Sequence, residues 1–250
     1  LGENALHVLM VNRREKQLLE LIDLASATFS RSMLRRLFCA QASGPFFNDP
    51  PMIYYGGTVV AYAVAFSMKK PFARILEHIV DNPKMQRLLS LNDSAHHACK
   101  LSGFLPLHVC VANGLTEMYD FLLSFDGLPK QAQLKLHHLR ADPQALTARG
   151  RQCIELCSLS PLQLAVKMGN KRMFQHALKA SCAIFWRWGP VTCYELDLSP
   201  IDSFNMGGND VMELVGRLDA SDGTKELLTE DFMQGFIREH CKRAPRLLGD

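Results

Sequence analysis

Gly103-Phe104-Leu105-Pro106-Leu107-His108-Val109-Cys110-Val111-Ala112-Asn113-Gly114, followed by Glu117-Met118-Tyr119-Asp120-Phe121-Leu122-Leu123, decides how this chain is read. A turn glycine, a proline able to open a helix, a short apolar run, a second glycine and a second apolar-striped run spell two short helices joined by a tight turn. Ser160-Pro161-Leu162-Gln163-Leu164-Ala165-Val166-Lys167-Met168-Gly169-Asn170 repeats the pattern, with Met173, Phe174, Ala177 and Leu178 forming the apolar side of its second helix. There, Ser160 can cap the first helix, Pro161 sits where a missing N–H costs nothing, and Gly169 can take the left-handed conformation that ends it. The chain start, Gly2-Glu3-Asn4-Ala5-Leu6-His7-Val8-Leu9-Met10, is a third copy, continued by Leu18, Leu19 and Ile22. A fourth, Gly56-Gly57-Thr58-Val59-Val60-Ala61-Tyr62-Ala63-Val64-Ala65, lacks the Pro and His, but Phe72, Ile75, Leu76 and Ile79 restore the helical period.

Thr-Pro-Leu-His after a turn glycine is the signature of the ankyrin repeat, and 103–123 resembles it with Leu105 in place of threonine. The sequence therefore predicts an all-α fold: an ankyrin-repeat solenoid of about four repeats. In such repeats Leu6-His7 and Leu107-His108 are structural, each ring bonding to turn backbone, so neither histidine is a catalytic candidate. The register residues Leu6, Val60, Leu107 and Leu162 lie 54, 47 and 55 positions apart, against roughly 33 for a plain repeat. Long fingers near 28–55, 83–102 and 126–158 are thus expected, collected on one face that commonly binds.

Composition narrows the function classes. Lys and Arg total 28 against 25 Asp and Glu, a net charge of +3, which lacks the basic excess of an electrostatic nucleic-acid binder. Eight cysteines are scattered through helical patterns, which fits reduced thiols in a cytosolic setting better than a disulfide scaffold. The opening residues have no basic stretch ahead of an apolar run, so they are not expected to act as a secretory leader. Pro50 to Met68 is uncharged, but its continuous apolar part, Val59 to Phe66, is far short of the ~20 residues of a membrane span. His96, His97 and Cys99, and Cys153 with Cys157, are the nearest approach to a metal set, yet there is no CxxC pair, and reduced core or loop cysteines fit better. Neither a Gly-rich phosphate loop, a GxSxG elbow nor an HExxH helix occurs, and Glu117, Asp120 and Asp197 are isolated carboxylates. The expectation is a non-enzyme with no cofactor.

Beyond the last repeat, Trp186-Arg187-Trp188-Gly189-Pro190-Val191-Thr192-Cys193-Tyr194-Glu195-Leu196-Asp197-Leu198 places β-branched and aromatic residues around a Gly-Pro turn and predicts short strands. Val211-Met212-Leu214-Val215-Leu218 and Leu227-Leu228-Phe232-Met233-Phe236-Ile237 then show helical spacing and end in a basic run from Arg238 to Arg246. These helices are expected to need partners outside the repeats. The predicted organisation is repeats over 1–182, a linker with a short β-hairpin over 183–208, and further helices over 209–250.

Two series carry a narrower resemblance. Gln41-Ala42-Ser43-Gly44-Pro45-Phe46-Phe47 with Tyr54-Tyr55-Gly56 resembles a finger of the vanilloid-subfamily transient receptor potential channels, and Trp186-Arg187-Trp188-Gly189-Pro190-Val191 with Leu196-Asp197-Leu198-Ser199-Pro200-Ile201-Asp202 resembles their linker. The resemblance implies a cytoplasmic part of a tetrameric cation channel, with earlier repeats before Leu1 and the membrane domain beyond Asp250. It also implies that Phe46, Phe47, Tyr54 and Tyr55 of one subunit meet Trp186, Trp188 and Tyr194 of its neighbour; alternatively those rings only hold their own finger together. Some members bind ATP on the concave face through a Glu-Arg pair in the inner helix, but that pair falls here on Val11 and Asn12. Regulatory proteins, calmodulin or ATP remain candidate partners of that face. The competing reading is a free-standing ankyrin scaffold holding a protein partner in its concave groove; such a scaffold should end in a polar capping repeat, whereas this chain continues into strands and apolar-striped helices.

Overall fold

A computed structural model describes residues 3–42, 57–79, 99, 102–125, 136, 139–141, 156–202, 209–217 and 219–243. They are mostly helical, with one two-stranded antiparallel sheet. Among them no helix is long and apolar enough to cross a membrane. Contacts divide the chain into two compact units, Leu1–Pro161 and Leu162–Asp250.

The first unit contains three helix pairs: α1 (Ala5–Val11) with α2 (Glu15–Thr28), α4 (Val59–Ala65) with α5 (Lys69–Ile79), and α6 (Pro106–Ala112) with α7 (Thr116–Ser124). A fourth pair, α8 (Pro161–Lys167) with α9 (Lys171–Ser181), lies in the second unit apart from its first residue. The first helix of every pair has seven residues, and Leu6, Val60, Leu107 and Leu162 are each its second residue. In every pair the second helix starts ten positions after the first, at 5 and 15, 59 and 69, 106 and 116, 161 and 171.

One hydrogen-bonded turn produces that constancy. Arg13, Ser67, Gly114 and Gly169 all have positive φ, between 53° and 67°, and each donates its N–H back into the helix, to the carbonyls of Met10, Val64, Val111 and Val166. The next residue donates one carbonyl further back: Arg14 to Leu9, Met68 to Ala63, Leu115 to Cys110, Asn170 to Ala165. This is the Schellman arrangement, which satisfies carbonyls that the helix end leaves without partners.

Burial follows the same period. Leu6 and Met10 of α1, Val59 through Val64 of α4, and Pro106 through Val111 of α6 are buried, as are Leu18 and Ile22 of α2, Phe72, Ile75 and Leu76 of α5, and Met118, Tyr119 and Leu122 of α7. First helices pack on first helices (α1 on α4, α4 on α6) and α2 packs on α5, so side chains three and four apart close a shared core. The Phe72 ring meets Phe121 and Phe125 edge-on, with centroids 5.9 and 6.0 Å away.

The stretch expected as the first finger is not all loop. Its start forms α3 (Arg31–Cys39), capped by the Ser30 hydroxyl, which accepts the Met33 N–H. Leu34 and Phe38 are buried, Phe38 stacks on His78, and the Leu37 carbonyl accepts from the Asn4 side chain at 2.8 Å. The serine cap and the Leu34/Phe38 spacing were the available signals.

In the second unit, β1 (Ala183–Trp188) and β2 (Val191–Glu195) pair antiparallel around Gly189-Pro190. Gly189 has φ +56°, and because proline fixes the next φ near −65°, the turn follows the II′ pattern that suits a hairpin. Then come α10 (Val211–Gly216), α11 (Asp222–Glu226), a 3-10 turn (Leu227–Thr229) and α12 (Asp231–Arg243). Here α10 packs on α11 and α12 on the 3-10 turn, while α11 itself packs on α9 and its Thr224 is bonded to the Val166 carbonyl of α8. Apolar spacing reveals that a helix has a face to bury but not what it buries it against.

Candidate interaction surface

Just before α4, α6 and α8 in sequence the backbone closes on itself through a similar hydrogen bond, a gate. Ala42 donates its N–H to the Gly57 carbonyl, Cys99 to Phe104 and Ala141 to Leu159, each at 3.0 Å. Ala42, Cys99 and Ala141 are buried. Gly103 and Ser158, at φ +67° and +64°, return N–H bonds to Cys99 and Ala141.

One histidine braces a gate and a second lies beside another. The His108 Nδ1 accepts the Leu105 N–H at 3.4 Å, and Nε2 lies 2.8 Å from the Leu159 carbonyl. The first contact needs a lone pair on Nδ1, so Nε2 carries the proton and donates it. His7 accepts the Asn4 N–H on Nδ1 at 3.2 Å, while the Asn4 carboxamide oxygen accepts from Leu6 and His7. Its Nε2 lies near the Gly57 carbonyl outside hydrogen-bond geometry. Burial pushes both rings down to about 4 and outweighs the carbonyls, which favour the charged form. Both are neutral at physiological pH.

The hairpin is built the opposite way. Ile184, Phe185, Trp186, Trp188, Val191 and Tyr194 are all exposed, Trp188 by 84% and Phe185 by 68%. The register pairs Trp188 with Val191, Trp186 with Cys193 and Ile184 with Tyr194, and it shifts between Ile184 and Trp186, leaving Phe185 as an extra residue. Alternation therefore puts Trp186, Trp188, Val191 and Cys193 on one face, and Ile184 and Tyr194 on the other. Of the expected interface residues, the two tryptophans share a face and Tyr194 does not. Phe46, Phe47, Tyr54 and Tyr55 lie outside the described residues, as do His96, His97 and Cys153. The sequence reading missed Ile184 and Phe185; the apolar run Ala183-Ile184-Phe185-Trp186 ahead of Arg187 was the signal.

Of the remaining predicted residues, Pro106, Leu107, Ser160, Pro161 and Leu162 are buried at the starts of α6 and α8, and Gly114 and Gly169 hold the positive-φ turns. Cys157 is buried and donates its thiol to the Ser102 carbonyl at 3.5 Å, and burial raises the Cys110 thiol beyond its usual range. These thiols are packing groups.

No protein-family model matches the chain. Curated relatives do. The chain is 27% identical over 189 residues to human transient receptor potential cation channel subfamily V member 5, covering 73% of this chain and 22% of that one. It is 29% identical over 170 residues to rat subfamily V member 6, covering 66% and 18%, and 25% identical over 222 residues to rat subfamily V member 4, covering 81% and 22%. It thus spans about a fifth of the length of the relatives it matches. Over about two thirds or more of its length the chain is thus similar to the subfamily V transient receptor potential cation channels, as a TRPV-like fragment would be.

Proposed function

We propose that this chain is the cytoplasmic ankyrin-repeat and linker part of a tetrameric TRPV-like cation channel, a non-catalytic module that joins subunits and couples cytosolic signals to gating. The repeats would cover 1–182, the linker 183–208, and helices leading toward a membrane domain 209–250. The four matching helix pairs and the subfamily V relatives support the reading.

The hairpin is the observation that carries assembly. A two-stranded ribbon is marginal by itself, and a folded protein gains nothing from holding two tryptophans in water. Exposed aromatics suit an interface anchor because they bury large area while freezing few torsions. In the proposed arrangement Phe46, Phe47, Tyr54 and Tyr55 of a neighbouring subunit cover the face that carries Trp186 and Trp188. Movement of one repeat stack would then shift the neighbour's linker, and a cytosolic ligand would act only by binding the two arrangements unequally. With Val11 and Asn12 where some members have their Glu-Arg pair, no nucleotide is included.

The test is the size of the intact protein, purified in detergent and weighed by light scattering, with and without Trp186→Ser and Trp188→Ser together. A tetramer that falls to smaller species, with the melting temperature unchanged, is expected. A tetramer that survives the double change removes the hairpin from the interface; an unaltered protein that is monomeric leaves a free-standing scaffold instead.

A further inference from the structure

The excursion that carries the hairpin departs from α9 and comes back to the same helix pair at α11, and the return is unusually close. A Cβ on Gly169 would lie 2.9 Å from the Gly223 carbonyl carbon and the Thr224 nitrogen; one on Gly223 would lie 3.0 Å from the Gly169 carbonyl oxygen. Backbone thus meets backbone with no side chain between. At Gly169 a φ of +63° favours glycine and the close approach leaves no room for a Cβ, so the turn that ends α8 also serves as a seat.

Polar contacts fix the register on that seat. Thr224 is buried and donates its hydroxyl to the Val166 carbonyl at 2.8 Å, the same carbonyl that takes the Gly169 N–H. With its proton committed there, Thr224 Oγ1 accepts from Ser221 Oγ at 2.8 Å, and Ser221 Oγ accepts the Thr224 N–H at 3.2 Å. Two turns on, the Glu230 carboxylate accepts from both Lys171 and Gln175 of α9. The Lys171 side chain is half exposed, so the pair serves more to set the register than to add stability.

We propose that Gly169, Gly223, Thr224 and Glu230 form a clasp that closes the hairpin excursion onto the last helix pair and fixes α12 to that pair. The clasp rests on the channel reading for its purpose, the transfer of repeat movement to the helices that follow, but not for its existence. Gly223 and Thr224 are positioning residues in that transfer.

Hydrogen exchange followed by mass spectrometry on the intact protein tests it, because substitution and propensity pull in opposite directions. Gly223→Ala raises helix propensity and by that alone should slow exchange in α11; the clasp requires about tenfold faster exchange over 219–243 with 106–124 unchanged. Thr224→Val keeps the shape, removes the hydroxyl and should act in the same direction. Gly235→Ala, whose Cβ would meet nothing within 4 Å, should not accelerate exchange. Protection over 219–243 that survives both Gly223→Ala and Thr224→Val overturns the clasp, as does loss that spreads equally to 106–124. If Gly223→Ala does not fold, Thr224→Val alone decides. Exchange reads the clasp in any assembly state, whereas the channel reading is judged by oligomer size, so either can fail without the other.

Discussion

The pairs Val59–Ile79 and Pro106–Ser124 share one backbone skeleton with different residues at nearly every signature position. Leu105 has no cap oxygen, and His108 accepts its N–H; in the other pair Thr58 caps α4 by accepting the Ala61 N–H at 3.5 Å, and Ala61 stands where the histidine would be. Gly114 makes one turn at φ +67° and Ser67 the other at +55°, with the same two N–H bonds back into the helix. The skeleton is therefore not a property of Pro, His and Gly. Those residues lower the cost of a turn and gate that the buried side chains on both helices impose.

Removing core from the pair that lacks the signature should break the comparison most severely. Phe72 is wholly buried and contacts two rings, so Phe72→Ala forfeits transfer energy and leaves a cavity, a loss of about 3–5 kcal/mol. Chemical denaturation should show a lowered midpoint. A variant within about 1 kcal/mol of the unaltered protein would mean that α5 is held by something other than its core.

Acid should separate the pairs next. His7 and His108 fall from 6.5 to about 4 on folding, so each binds its proton more readily in the unfolded chain. Their contribution is complete above pH 6.5 and is lost as pH falls toward 4, up to about 3 kcal/mol for each ring. The pair with Ala61 has no such term at that position. Stability measured from pH 7 to pH 4 should therefore fall less steeply in His108→Gln than in the unaltered protein, although the variant starts from a lower value. Parallel curves would show that the ring titrates normally in the folded state.

The same contrast explains what the sequence made legible. The register at Leu6, Val60, Leu107 and Leu162 holds in all four pairs because seven-residue helices with fixed turns leave no room for drift. Buried positions such as Phe72, Met173 and Phe174 followed from period alone. Helix α3 did not, since a long insertion between repeats reads as loop although Ser30, Leu34 and Phe38 carry a cap and a stripe. Nor did the docking of α11, because two glycines and a threonine write no pattern until the chain is folded. On the hairpin, composition pointed to strands, but the register shift at Phe185 decides which rings share a face. That shift is a backbone property with no sequence marker.

The gentlest change sharpens the comparison furthest. Ser67 is exposed, makes its turn at φ +55° and has a glycine counterpart in Gly114. A left-handed conformation costs an L-residue roughly 1–2 kcal/mol, whereas glycine adds unfolded-chain entropy worth about 0.4–1 kcal/mol. Strain relief is the larger of the two, so Ser67→Gly should stabilise the protein by about 0.5–1 kcal/mol, and Gly114→Ala should destabilise it by a similar amount. Thermal melts of both variants should move in opposite directions by a few degrees. If Ser67→Gly instead lowers the melting temperature, the serine is contributing a contact that outweighs its strain, and the two turns are alike in shape but not in what holds them.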